Sequence, residues 1–136
     1  GDYFNHWIKI GENAPDQSKL PKIFYVNWFR RDDDGKFIWP GFGENSRVLK
    51  WVFEATEGTA KSVDTPIGIM PAHGAIDLPE GVTEDQMDEL LSVDVDGWLA
   101  EVADIKTNHY PKFGDRLPKQ LSECLAGLEE RLKAAK

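Results

Sequence analysis

The stretch NWFRRDDDGKFIWPGFGENSRVLKW, residues 27–51, carries six aromatic side chains (Trp28, Phe29, Phe37, Trp39, Phe42 and Trp51) and three glycines. Large rings usually leave water for a core, yet these crowd the most turn-rich part of the chain. Two uses satisfy that pattern: the rings fill a core, or they line a slot that grips a flat ligand. Trp51 and Phe53 fall on a helical pattern and read as core. Phe29, Phe37 and Phe42 stand at a strand end or in glycine-rich turns, where side chains face a cleft. Rings on either side of a planar base contribute about 1–3 kcal/mol per base by stacking. Asn45, at the start of the next helix, adds an amide whose donor and acceptor lie side by side. Guanine shows a carbonyl oxygen beside a ring N–H on its Watson–Crick edge, and adenine shows the reverse polarity. A site built on that pairing rejects the wrong base, because its buried polar groups would go unpaired.

The flanking sequence reads as α+β, a few short strands followed by several helices. Phe4, Trp7 and Ile8 follow helical spacing over residues 3–9, with Asp2 as N-cap. KIFYVNWF, residues 22–29, is almost continuously apolar and predicts a strand buried on both faces. RDDDG predicts a turn with Gly35 at positive φ, and KFIW a returning strand. Asn45 or Ser46 caps a helix whose inner face is Val48, Leu49, Val52 and Phe53. TPIGIMP reads as an extended edge segment, and TEDQ as a capping box opening a helix that buries Met87, Leu90 and Leu91. Asp94 or Asp96 opens another helix with Trp98, Leu99, Val102 and Ile105. Pro118 suits a first helical position, ahead of Leu121, Cys124, Leu125, Leu128 and Leu132, with Cys124 expected to be buried.

The 136 residues suit one compact domain, residues 1–136. A net charge of −8 opposes nucleic acid as a partner. The acidic run from Glu84 to Asp104 reads as a solvated helical face. With a single cysteine no internal disulfide can form, which fits a reducing compartment. No apolar run is long enough for a membrane span, so no membrane partner is expected and cytoplasm is the default location. Neither DVDGWLAE nor RDDDGKF has the ligand spacing of a calcium loop. His6, His73 and His109 show no zinc spacing, and no phosphate loop of the G-x-x-x-x-G-K-[ST] kind occurs. No catalytic or metal constellation is expected within the chain.

PKIFYVNWFRRDDDGKFIWPGFGENSRVLKW closely resembles the C-terminal region of GTP-dependent phosphoenolpyruvate carboxykinases. The resemblance continues through TPIGIMP and GDRLPKQLSECLAGLEERL, takes in the opening GDYFNHWI, and so spans essentially the whole chain. It implies the C-terminal portion of that family's α/β domain and a parent that turns oxaloacetate and GTP into phosphoenolpyruvate, GDP and CO2, with Mn2+ and Mg2+. Carried over by position, Phe29, Phe37, Phe42 and Asn45 form the guanine pocket with Trp28 as a neighbouring wall. Gly43 and Glu44 complete the motif, the glycine letting backbone approach the base. The ATP-dependent carboxykinases lack this aromatic motif. The resemblance also implies that the phosphate loop, the metal ligands and the reactive cysteine lie upstream of Gly1. The chain is then a fragment, inactive alone, whose partners are the guanine nucleotide and the remainder of the enzyme. The rival expectation is a free-standing base-stacking module for nucleotides or single-stranded RNA.

Overall fold

The computed structural model describes all 136 residues, and their contacts gather into two compact units. One is Lys22–Val93; the other joins Gly1–Pro21 to Asp94–Lys136. The elements are helical apart from one antiparallel hairpin, an α+β composition.

In Lys22–Val93 the helix Asn45–Glu57 (α2) and the later helix Glu84–Leu91 (α3) flank the strands Ser62–Thr65 (β1) and Gly68–Pro71 (β2). The strands pair from Ser62↔Pro71 to Thr65↔Gly68. TPIGIMP is therefore not one edge strand: Thr65 ends β1, Pro66 and Ile67 turn the chain, and Gly68 opens β2 at φ 128°. The core is a cluster of Trp39, Trp51, Ile76 and Met87, with Phe24, Trp28, Val48 and Val52 packed against it. Phe24 meets Trp51 edge-on, ring centroids 6.1 Å apart.

The inner stripe of α2 is Val48, Trp51, Val52 and Ala55, the spacing of one helical face. Leu49 and Phe53, expected inward, are 52% and 71% exposed. Trp51 donates its indole N–H to the Lys61 carbonyl at 3.0 Å inside the cluster, so its burial leaves no donor unpaired. The far end of α2 closes on Gly58 at φ 79°. Lys22 there donates to the carbonyls of Ala55 and Thr56, at the negative end of the helix dipole. In α3 the capping box forms: the Gln86 N–H donates to Thr83 Oγ1 at 3.2 Å, and Gln86 Oε1 accepts from the Thr83 N–H at 3.0 Å.

KIFYVNWF is not a strand. A strand exists only through its ladder partner, and the one sheet of this chain is β1–β2. Residues 22–27 are irregular and Trp28–Phe29 turn, with Phe24 and Trp28 packed on the cluster while Ile23 and Tyr25 are 84% and 95% exposed. KFIW likewise contributes a single bridge, Arg31↔Phe37, rather than a strand.

The other unit holds helices Asp2–Glu12 (α1), Val95–Asp104 (α4) and Lys119–Ala134 (α5), and α4 and α5 pack together with Val102, Leu125 and Leu132 buried. Asp94 caps α4 by accepting from the Gly97 N–H at 2.9 Å. Asp2 does not cap α1, because Gly1 holds that position and the Asp2 carboxylate pairs with Arg116 at 2.7 Å. Pro118 precedes the first turn of α5 at φ −61° and ψ 135° instead of entering it. Cys124, expected inside, is exposed. No helix is long and apolar enough to cross a membrane.

Leu132 is fully buried. Leu132→Ala should lower unfolding stability by about 2–5 kcal/mol in urea titration, through lost transfer energy and the cavity left behind. On the other unit's surface, His73 Nδ1 meets Asp88 Oδ1 at 2.8 Å, and that hydrogen bond raises the imidazole pKa above its ordinary 6.5. The contribution to stability is complete below pH 6.5 and disappears as pH rises through the raised folded value. An NMR titration of His73 should show the elevated midpoint, and Asp88→Asn should return it toward 6.5.

Candidate functional site

The aromatic segment is built on a tight loop. The Asp32 N–H donates to the Lys36 carbonyl at 3.0 Å, and the Gly35 N–H to the Asp32 carbonyl at 2.9 Å. Asp32 Oδ1 accepts from the Lys36 N–H at 2.8 Å, as short carboxylates do in turns. Gly35 sits at φ 77°, the positive value expected of it. The Ile38 N–H donates to the Arg30 carbonyl at 3.0 Å, which brings the two arms together. Phe29 and Phe37 meet across that join, centroids 5.9 Å apart and planes tilted by 59°. These two rings touch, so no base fits between them; they make one wall. The Arg31 guanidinium lies 3.8 Å from the Phe37 centroid, a cation–π contact on that ring.

Arg30 ties the loop to α3. Its guanidinium donates to the carbonyls of Leu90 and Ser92 at 3.3 and 3.2 Å and to Ser92 Oγ at 2.9 Å. Nothing in local spacing marks Arg30, because its partners lie sixty residues away.

Beyond Pro40 the chain passes through Gly41 at φ 115° and ψ −158°, which only glycine adopts without strain. A single tight turn, Phe42–Glu44, then runs into α2. Phe42 projects from it 93% exposed. These pieces surround an open cleft of about 530 Å³, walled by Trp28, Phe29, Phe37, Trp39 and Phe42, with Lys36, Pro40, Gly41 and Asn45 completing the lining. Five of the seven candidate residues line it: Trp28, Phe29, Phe37, Phe42 and Asn45. Gly43 and Glu44 do not, and the Glu44 carboxylate is paired with Arg47. Lys36, Trp39 and Gly41 are additional lining residues.

Asn45 is the first residue of α2, but its side chain does not cap the helix. Its Oδ1 accepts a hydrogen bond from Trp39 Nε1 at 2.8 Å. Trp39 is 6% exposed, and this bond satisfies its one polar atom.

Residues 1–131 match the family described as phosphoenolpyruvate carboxykinase C-terminal P-loop domain. The chain belongs to this family. Among its relatives, phosphoenolpyruvate carboxykinase [GTP] of Treponema pallidum subsp. pallidum is 53% identical over 136 residues, 98% of this chain and 22% of the relative. The protein of that name from Neocallimastix frontalis is 52% identical over 137 residues, 99% of this chain and 22% of the relative. That from Renibacterium salmoninarum is 48% identical over 133 residues, 97% of this chain and 22% of the relative. The chain thus spans about a fifth of the length of the carboxykinases it matches.

Within this carboxykinase segment no three His, Cys, Asp or Glu side chains converge on a point that would hold a metal ion. The expected aspartate roles are visible in their place: Asp94 caps a helix and Asp32 closes a turn.

The exposure of the rings separates wall from core. Phe42→Ala and Phe29→Ala should leave stability within about 0.5 kcal/mol of the parent chain, whereas Trp39→Ala should cost about 3–5 kcal/mol. Urea unfolding of the three variants measures the contrast.

Proposed function

We propose that this chain is the base-recognition segment of a GTP-dependent phosphoenolpyruvate carboxykinase. On this reading Phe42 and the Phe29–Phe37 wall stack on guanine, Trp28 closes the side, and Asn45 reads the Watson–Crick edge. The observation that carries it is the ring-walled cleft with an amide at its margin, in a chain about half identical to proteins named for that activity. The parent reaction is the decarboxylation and phosphorylation of oxaloacetate by GTP, giving phosphoenolpyruvate, GDP and CO2, a gluconeogenic step in the cytoplasm. Residues outside this chain supply the phosphate contacts and the ligands for Mn2+ and Mg2+, and the segment alone does not turn over substrate.

Gly43 fits the same reading. A Cβ built there meets nothing within 4 Å, and its φ is ordinary, so neither packing nor conformation demands glycine within the chain. Glu44 follows it with its charge offset by Arg47, so it repels an approaching anion less than a free carboxylate would.

The test is nucleotide binding by the full-length protein that carries this segment, followed by tryptophan emission. GTP should quench emission at lower concentration than ATP, and Phe42→Ala should weaken GTP binding about five- to a hundredfold, the loss of one stacking partner. Asn45→Asp should narrow the preference for GTP over ATP. Equal affinity for the two nucleotides in the unaltered protein would overturn the assignment.

A further inference from the structure

We infer that Trp39 is a specificity-determining positioning residue: its indole N–H locks the polarity of the Asn45 amide, so that the cleft accepts 6-oxopurines and refuses 6-aminopurines. The inference rests on the guanine reading of the cleft and goes one residue beyond it.

A primary amide is nearly symmetrical in shape, and half a turn about its last bond exchanges oxygen and nitrogen. As a reader of purines, such an amide is ambiguous. With NH2 donating to the 6-oxygen and the oxygen accepting from N1–H, it matches guanine or hypoxanthine. Flipped, with the oxygen accepting from the 6-amino group and NH2 donating to N1, it matches adenine equally well. An unrestrained asparagine therefore discriminates little between the two.

The structure removes the ambiguity. An indole nitrogen only donates. With Trp39 Nε1 at 2.8 Å, the Asn45 atom facing it must be the oxygen. Flipping the amide would set NH2 against the indole N–H, two donors without an acceptor between them. It would also leave the N–H of a residue that is 6% exposed unsatisfied. Trp39 cannot turn away to relieve this, because its ring is a member of the cluster with Trp51, Ile76 and Met87. The bonded oxygen keeps a second lone pair for N1–H, and NH2 is left for the 6-oxygen.

The experiment compares GTP, ITP and ATP affinities of the full-length protein with those of Trp39→Phe, which keeps a ring in the core and deletes the N–H. The expected result is a fall of about tenfold in both the GTP:ATP and ITP:ATP ratios, the scale of one lost polar match. The GTP:ITP ratio, which the 2-amino group alone controls, should not move. A variant that merely loosens the cleft would weaken all three nucleotides alike, and unchanged GTP:ATP and ITP:ATP ratios would overturn the inference. If Trp39→Phe fails to fold, the benzothiophene analogue of tryptophan at position 39, with sulfur in place of N–H, gives the same comparison in a nearly isosteric ring. Should the unaltered protein bind GTP and ATP equally, the guanine assignment itself falls. A normal GTP preference that survives loss of the N–H removes only the role of Trp39.

Discussion

The burial of one indole holds the aromatic loop to the rest of its unit. Trp39 enters the cluster of Trp51, Ile76 and Met87, a gain of the order of 2–3 kcal/mol for so large a ring. A buried indole brings its N–H with it, and an unsatisfied donor there would cancel much of that gain. Asn45, the first residue of α2, accepts it, and the cleft thereby acquires an amide in a fixed position. Arg30 adds a second tie by reaching the last carbonyls of α3, where the helix dipole favours a cation. Between these two anchors the loop carries its rings on a frame set by the core.

The outward rings cannot be explained by the core. Phe42, Phe29 and Phe37 are 93%, 70% and 44% exposed, so they add little to folding. Scattered apolar residues on a surface are ordinary, but these three line one cleft together with Trp28. Gly41, held at φ 115°, precedes the turn that carries Phe42.

Local features are legible in the sequence, and features decided by distant partners are not. The Thr83–Gln86 capping box, Gly35 at positive φ and the Leu-rich stripe of α5 each depend on residues within a few positions, and each follows from the sequence alone. The aromatic cleft is visible there too, since the rings and Gly41 that line it fall within residues 28–45. The strand expected at 22–29 does not form because apolar patterning reports burial and not the ladder partner a strand requires. The inner face of α2 differs from the expected one because the core lies along the Val48–Trp51–Val52–Ala55 stripe, which leaves Leu49 and Phe53 outward. Asn45 is a residue type that favours caps, but the turn Phe42–Glu44 runs straight into α2, so Glu44 takes the cap position and Asn45 lies in the first helical turn. Cys124 occupies a stripe position of α5 yet stays exposed, while Leu125 beside it is buried.

On the proposed reading, apolar walls and a single amide select a base but do not hold a triphosphate. Two stacking contacts at about 1–3 kcal/mol each are smaller than or comparable to the roughly 4–15 kcal/mol cost of immobilising a ligand. The cleft has one cationic lining residue, Lys36, in a chain of net charge −8, and the Arg47 charge is committed to Glu44. On the proposed reading, the larger share of nucleotide affinity comes from phosphate contacts made by residues outside this chain, and the cleft supplies the difference between one base and another. That division suits an enzyme of phosphoryl transfer. The phosphates, common to every nucleotide, carry the shared binding energy, and a few kcal/mol at the base decide which nucleotide reacts.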